Sequence, residues 1–233
     1  RVKSITTYRL ALLLLGSLTL GGFAHAQSTR SVDVLVIGGG TGGTAAGIQS
    51  ARTGAKTLIV EPTPWLGGMM TAAGVSATDG NHMLPSGLWA EFRDKLYKVY
   101  GGPNRVATGW VSNTLFEPHV GDSIFKSMAA RESKLQVLHG YVLMGILKKG
   151  NRVEGAWFKH SKSGKKLTVR ARQVVDATEL GDAIALAGIP FDVGMEASSL
   201  TGEDVNVPTS NDIIQDLTYA VILKDYGSKA DCT

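Results

Sequence analysis

Cysteine is nearly absent. The 233 residues hold one, Cys232, so no internal disulfide is possible. An iron–sulfur cluster, which needs several thiolates, is excluded for the same reason. Charge of one sign is also short. Arg1, Lys3 and Arg9 supply three of the four net positive charges and residues 1–26 carry no acid, so the body of the chain is close to neutral. Such a surface gives no footprint for nucleic acid. The longest apolar run, Leu10 to Leu20, is broken by Gly16 and falls short of a membrane span. Metal-ligand spacing and a nucleophile elbow are both missing, and no sequence repeat or low-complexity segment occurs.

What the first 26 residues do contain is ordered. A basic start precedes the Leu10–Leu20 run, and Ala24-His25-Ala26 gives a small-x-small cleavage pattern before Gln27. Residues 1–26 are therefore expected to be a secretory signal, and the protein to be exported, periplasmic or secreted, with no stable membrane span after cleavage. No Arg-Arg pair precedes the apolar run, which points to the general export route rather than the twin-arginine one.

Glycine is plentiful, at 29 residues, and its densest cluster organises the chain. Val34-Leu35-Val36-Ile37 has the length and β-branched content of a buried strand. Gly38, Gly40 and Gly43 then fall at G-x-G-x-x-G spacing, with Gly42 between them. Thr44 to Thr53 reads as a helix stopped by Gly54, and a second apolar strand ends on Glu61, 18 residues past Gly43. Gly38 permits the turn out of the strand, Gly40 lets a pyrophosphate approach the backbone, and Gly43 allows close helix–sheet packing. The helix N-terminus presents N–H groups and partial positive charge, and Glu61 can accept hydrogen bonds from ribose hydroxyls. Strand, loop, helix and terminal acid together form the context that makes this fingerprint a dinucleotide site.

Beyond Glu61, Pro62-Thr63-Pro64 and Trp65-Leu66-Gly67-Gly68-Met69-Met70 open a long glycine- and alanine-rich loop of the kind usually reserved for function. Helices are expected from about Gly87 to Tyr100 and from Pro118 to Glu132. From Lys134 onward the pattern is of strands. Val142–Leu147, Val153–Lys159 and Leu167–Arg170, separated by turns, predict a three-stranded antiparallel insertion beside the parallel sheet. Gln173–Thr178 reads as a separate buried strand, and Gly181–Ala187 as a short helix. The fold class is α/β: a Rossmann-like domain over residues 31–190, its part 134–171 strand-rich. Residues 191–233 are expected to begin a second, α+β substrate domain, with a strand at Leu217–Lys224. The chain begins on Arg1 and ends on Asp231-Cys232-Thr233, which reads as a fragment.

The fingerprint, Glu61, Trp65-Leu66-Gly67-Gly68-Met69 and Asp176-Ala177-Thr178-Glu179-Leu180-Gly181-Asp182 resemble, in order, the FAD-dependent oxidoreductases of the glutathione-reductase-like flavoprotein group. Within it the chain is similar to the exported bacterial branch grouped with the flavin portion of heterodisulfide reductase A-like proteins, from about Val32 to Tyr226. The resemblance implies FAD as cofactor. It would place Gly38, Gly40, Gly42 and Gly43 on the pyrophosphate and Glu61 on the adenosine ribose. Gly67, Gly68 and Met69 would lie along the pyrophosphate and flavin edge. Val142 (or Leu143, one residue on) would meet the adenine, and Ala177, Thr178 and Asp182 would close over the dinucleotide. Glu179 departs from the commoner Ala-Thr-Gly turn. The cysteines of the heterodisulfide relatives are absent, so their cluster chemistry is not implied.

A flavin carries its own redox chemistry, so a catalytic side chain is not obligatory. Asp79, His82 and His119 are the candidates for proton handling, each set against the blander reading of a surface or capping residue. Glu179 and Asp182 read as a charge pair at a helix start. The function expected is flavin-mediated oxidation or reduction of a small molecule, with substrate and electron acceptor unidentified. An NAD-dependent dehydrogenase and a non-enzymatic dinucleotide- or partner-binding module are the alternatives.

Overall fold

The computed structural model describes residues 28–80, 82–107, 112–217 and 219–221. The expected signal at residues 1–26 and Cys232 lie outside them. Strand β1, Ser28–Ile37, runs down the middle of a six-stranded sheet. The glycine loop turns it into helix α1, Thr41–Arg52, which leads back to β2, Thr57–Glu61, parallel to β1. The helix starts three residues earlier than the sequence pattern indicated, because Thr41, Gly42 and Gly43 already have helical geometry. Gly47 explains how closely α1 lies on the sheet: a β-carbon there would collide with the Ile59 side chain.

Two helices join α1 on that face, α2, Gly87–Tyr100, and α3, Pro118–Ala130. Their apolar positions recur at helical spacing and meet in one cluster. At its centre Phe92 stacks on Phe125, with ring centroids 4.3 Å apart, and meets Phe116 edge-on at 5.4 Å. At the rim, Arg52 of α1 forks onto Glu91 of α2 at 2.7 and 3.0 Å and reaches Glu132 at 2.9 Å. These hydrogen bonds push the Arg52 guanidinium further up from an already high value and hold the Glu91 carboxyl below its ordinary one. A short ribbon, β3 (Ala77–Thr78) with β4 (Thr114–Leu115), borders the helical layer.

The remaining strands are β5, Leu135–His139, β6, Tyr141–Lys149, β7, Arg152–His160, and β8, Lys166–Asp176. The strand order is β5-β2-β1-β8-β7-β6. Strands β5, β2, β1 and β8 are parallel to one another, and β8, β7 and β6 form an antiparallel meander. This corrects the expected insertion. Leu167–Arg170 and Gln173–Asp176 are one strand, paired along its whole length with β1 and over its first half with β7. The meander is thus the continuation of the parallel sheet, and it curls so that Ala156, Phe158, Leu167 and Val169 pack against Leu35, Ile37, Leu58 and Val60. One face of the central strands is covered by helices and the other by the sheet's own extension.

After β8 come the short helices α4, Asp182–Leu186, and α5, Ser198–Thr201. The strand expected at Leu217–Lys224 is not formed at Leu217 or at 219–221, and its other residues lie outside those described. Phe191, Ile213 and Ile214 in this segment are exposed, whereas Ala197 and Val207 are buried. Among the described residues no helix is long and apolar enough to cross a membrane.

Candidate functional site: a glycine cradle at the ends of four strands

The carboxyl ends of β1, β2 and β8, with the start of β6, surround a cavity of about 570 Å³. Ligands of open α/β sheets bind outside the carboxyl ends of the strands, and this volume is in the ordinary range for a small-molecule site. Ile37, Val60, Leu143 and Phe158 make an apolar floor, and the glycine loop forms one wall.

The loop is shaped by steric necessity. Gly38 has φ +99°, and a β-carbon on it would run into the Ala177 carbonyl. Gly43 is buried beneath it, and a β-carbon there would meet the Gly38 carbonyl and the Ala177 side chain. Thr44 Oγ1–H donates to Gly39 O at 2.9 Å from inside α1. The start of α1 has no side-chain cap hydrogen bond, so its partial positive charge is not satisfied by a capping side chain.

Glu61 completes this wall. The residue is 7% exposed. Oε2 accepts the Gly39 N–H at 2.6 Å and Oε1 the Thr63 N–H at 2.8 Å. A carboxylate offers about four acceptor positions, and these two bonds use half of them.

The second glycine pair is stitched to the first. Gly67 N–H donates to Gly39 O and Thr41 Oγ1–H donates to Gly67 O, each at 2.8 Å, and Gly40 and Gly67 form a parallel bridge. Gly67 has φ +104°, and a β-carbon on it would strike the Phe125 ring. Asp122, buried on the inner face of α3, accepts the Leu66 N–H at 2.8 Å and pairs with Lys126 at 2.7 Å, which fixes the turn from below.

The third wall is the Asp176-Ala177-Thr178 turn. Asp176 Oδ1 accepts the Thr178 N–H at 2.9 Å and the Thr178 hydroxyl at 2.7 Å, while Oδ2 accepts the Ile184 N–H at 2.9 Å. Thr178 Oγ1 in turn accepts the Asp182 N–H at 2.8 Å. One carboxylate therefore fixes both the turn and α4.

Of the residues singled out in the sequence, Gly38, Gly40, Glu61, Gly68, Met69, Val142, Ala177, Thr178 and Asp182 line the cavity, as does Leu143. Gly43 and Gly67 stand behind the wall and shape it, and Gly42 is exposed with open space around it. Asp79, His82 and His119 are not brought to the cavity. His82 Nδ1 lies 3.4 Å from Asn113, His119 is exposed in the first turn of α3, and Asp79 is exposed beside β3. Glu179 and Asp182 do not act as a pair at one helix end. Asp182 begins α4, whereas the Glu179 carboxylate reaches across to Gly40 and Gly68. Sequence reading passed over Thr41 and Asp122. Asp122 carried a usable signal, an acid at an inward-facing helical position. Among the described residues no group of three His, Cys, Asp or Glu is placed to hold a metal ion.

The three walls suit a dinucleotide. The glycines leave space that a side chain would fill, and the helix start and the Glu61 carboxylate could partner a pyrophosphate and a ribose. A family model described as FAD dependent oxidoreductase matches residues 33–231. Digeranylgeranylglycerophospholipid reductase of Picrophilus torridus is 29% identical over 160 residues, covering 62% of this chain and 38% of that enzyme. Among solved structures, a geranylgeranyl bacteriochlorophyll reductase-like protein of Thermoplasma acidophilum has TM-score 0.52 and 22% identity, with 71% of this chain and 44% of that one covered. THI4 of Thermovibrio ammonificans has TM-score 0.51 and 20% identity, with 84% and 76% covered. The chain thus spans less than half the length of the first two of these relatives, and the structural likenesses establish a shared fold.

Proposed function

We propose, on the premise that the chain belongs to the FAD dependent oxidoreductase family, that it forms the cofactor-holding part of an exported flavoprotein that oxidises or reduces a small molecule. The observation that carries this reading is the convergence of the fingerprint, Glu61, the Gly67-Gly68 turn and the Asp176 turn on one cavity. The family match decides for FAD over the NAD-dependent and non-enzymatic alternatives. The Gly67-Gly68 and Ala177-Thr178 turns support placement in the glutathione-reductase-like group.

FAD, when bound, supplies the electron transfer through its flavin ring. The chain's own residues bind and orient. Gly38 and Gly40 give the pyrophosphate access to the backbone at the start of α1. Glu61 would take the ribose, and Val142, or Leu143 one residue on, would meet the adenine. Met69, Ala177 and Thr178, which line the same cavity, would border the rest of the molecule. Among the described residues the titratable groups lining the cavity are Glu61, Tyr141, Glu179 and Asp182. Asp79, His82 and His119 lie apart from it, so no proton step is assigned to them. The substrate of the Picrophilus reductase is not carried over, because the similarity covers only 38% of that enzyme.

Purification of the full chain with FAD available tests the reading. A yellow protein that releases FAD on denaturation, and whose colour bleaches on addition of a reductant, is the expected result. A colourless protein that takes up no FAD would overturn it. Export rests on the basic, apolar and small-x-small order of residues 1–26. Expression of the native chain in a Gram-negative host should yield a periplasmic protein beginning at Gln27, and recovery in the cytoplasm with residues 1–26 intact would count against export.

A further inference from the structure

The start of α1 carries no side-chain cap. Its partial positive charge attracts whatever anion can reach it. Two glycines keep that place open, Gly40 on the fingerprint and Gly68 on the second turn. A β-carbon on either would meet the same atom, Oε1 of Glu179. All three residues line the cavity. Glu179 is held at its backbone by the adjoining Asp176–Thr178 turn, but its residue is exposed and its side chain can rotate toward solvent.

We infer that the Glu179 carboxylate occupies the anion-accepting mouth of the glycine cradle and competes with the pyrophosphate of the cofactor. Glu179 is thereby a determinant of cofactor affinity. The inference rests on the FAD reading above. Its physical basis is that the carboxylate and a pyrophosphate answer to the same helix-end field. They carry charge of the same sign, so they cannot share the mouth at low cost. Binding requires Glu179 to turn outward. A residue with no negative charge at this position leaves the mouth open.

The test compares the apo full chain with Glu179→Ala and Glu179→Gln, titrated with FAD, with ADP and with adenosine by calorimetry. ADP carries the pyrophosphate without the flavin, and adenosine carries neither. Glu203→Gln, an exposed glutamate away from the cavity, controls for the change in net charge. The expected result is that at least one Glu179 variant binds FAD and ADP about tenfold more tightly, while adenosine binding and the Glu203→Gln protein are unchanged. Unchanged or weaker FAD and ADP binding in both variants, or an equal gain for adenosine or for Glu203→Gln, overturns the inference alone. If neither the wild-type chain nor either Glu179 variant binds FAD or ADP, the inference falls together with the proposed function.

Discussion

Glu61 Oε2 lies 2.6 Å from the backbone nitrogen of Gly39, so the end of β2 is hydrogen-bonded to the centre of the glycine loop. The same carboxylate turns the chain at Thr63 with its other oxygen. Glu61 is therefore a structural acceptor before any ribose arrives. Glu61→Gln replaces one acceptor oxygen with a donor and leaves a backbone N–H facing it. An unpaired buried donor costs about 1–3 kcal/mol. Chemical denaturation should show a loss of that size, and FAD titration should show weaker binding. An unchanged unfolding midpoint would contradict the role assigned here.

The glycines of the fingerprint are not equivalent. A β-carbon at Gly43 would run into the Gly38 carbonyl, whereas one at Gly42 meets no atom within 4 Å. Overpacking of this sort costs roughly 1–3 kcal/mol. Alanine in place of an unconstrained helical glycine gains about 0.5–1 kcal/mol. Thermal melts should therefore move in opposite directions, down for Gly43→Ala and up for Gly42→Ala. Equal shifts would mean that the packing of α1 on the loop differs from that described.

Asp176 organises the third wall through three accepted hydrogen bonds. Hydrogen bonds to a charged group contribute about 1.5–3 kcal/mol. Asp176→Ala should lower stability by an amount in that range and loosen the Ala177–Thr178 turn, with FAD affinity falling as well. Tight FAD binding by a destabilised Asp176→Ala protein would show that the turn does not need this acceptor.

The Arg52 fork makes a pH-dependent contribution. Its hydrogen bond holds the Glu91 carboxyl below the ordinary value of 4.5. A depressed carboxyl stabilises the fold fully above its unfolded pKa, and the contribution fades as pH falls through the folded one. The side chains are 30% and 42% exposed, so the contribution is at most about 1 kcal/mol. Stability of wild type relative to Glu91→Gln should be constant near neutrality and shrink as pH drops below 4.5. A difference that persists undiminished well into that acid range would refute the assignment.

The cradle was legible in the sequence because its chemistry is local. Val34–Ile37, the glycines and Glu61 sit in one short stretch where each backbone requirement selects a residue type. The sheet order was not. Arg170 and Arg172 interrupt the apolar pattern and made β8 read as two strands, although it is continuous and β1 pairs with it from Leu167 to Asp176. Pairing with a partner far away in sequence overrides such breaks, and no local signal reports it. Thr41 and Asp122 were missed for a related reason. Their hydrogen bonds reach across 26 and 56 positions in the chain. The placement of Glu179 over Gly40 likewise depends on β8 lying beside β1, a neighbourhood that only the folded sheet creates.

The continuity of β8 has a mechanical consequence. Its first half is bonded on both edges, to β1 and to β7, and its last residue is Asp176, which holds the turn at the cavity. Strand, turn and meander are thus joined through one continuous segment. The Ala177–Thr178 turn is therefore anchored to the same strand that carries the meander, and its position follows from how β8 is seated between β1 and β7.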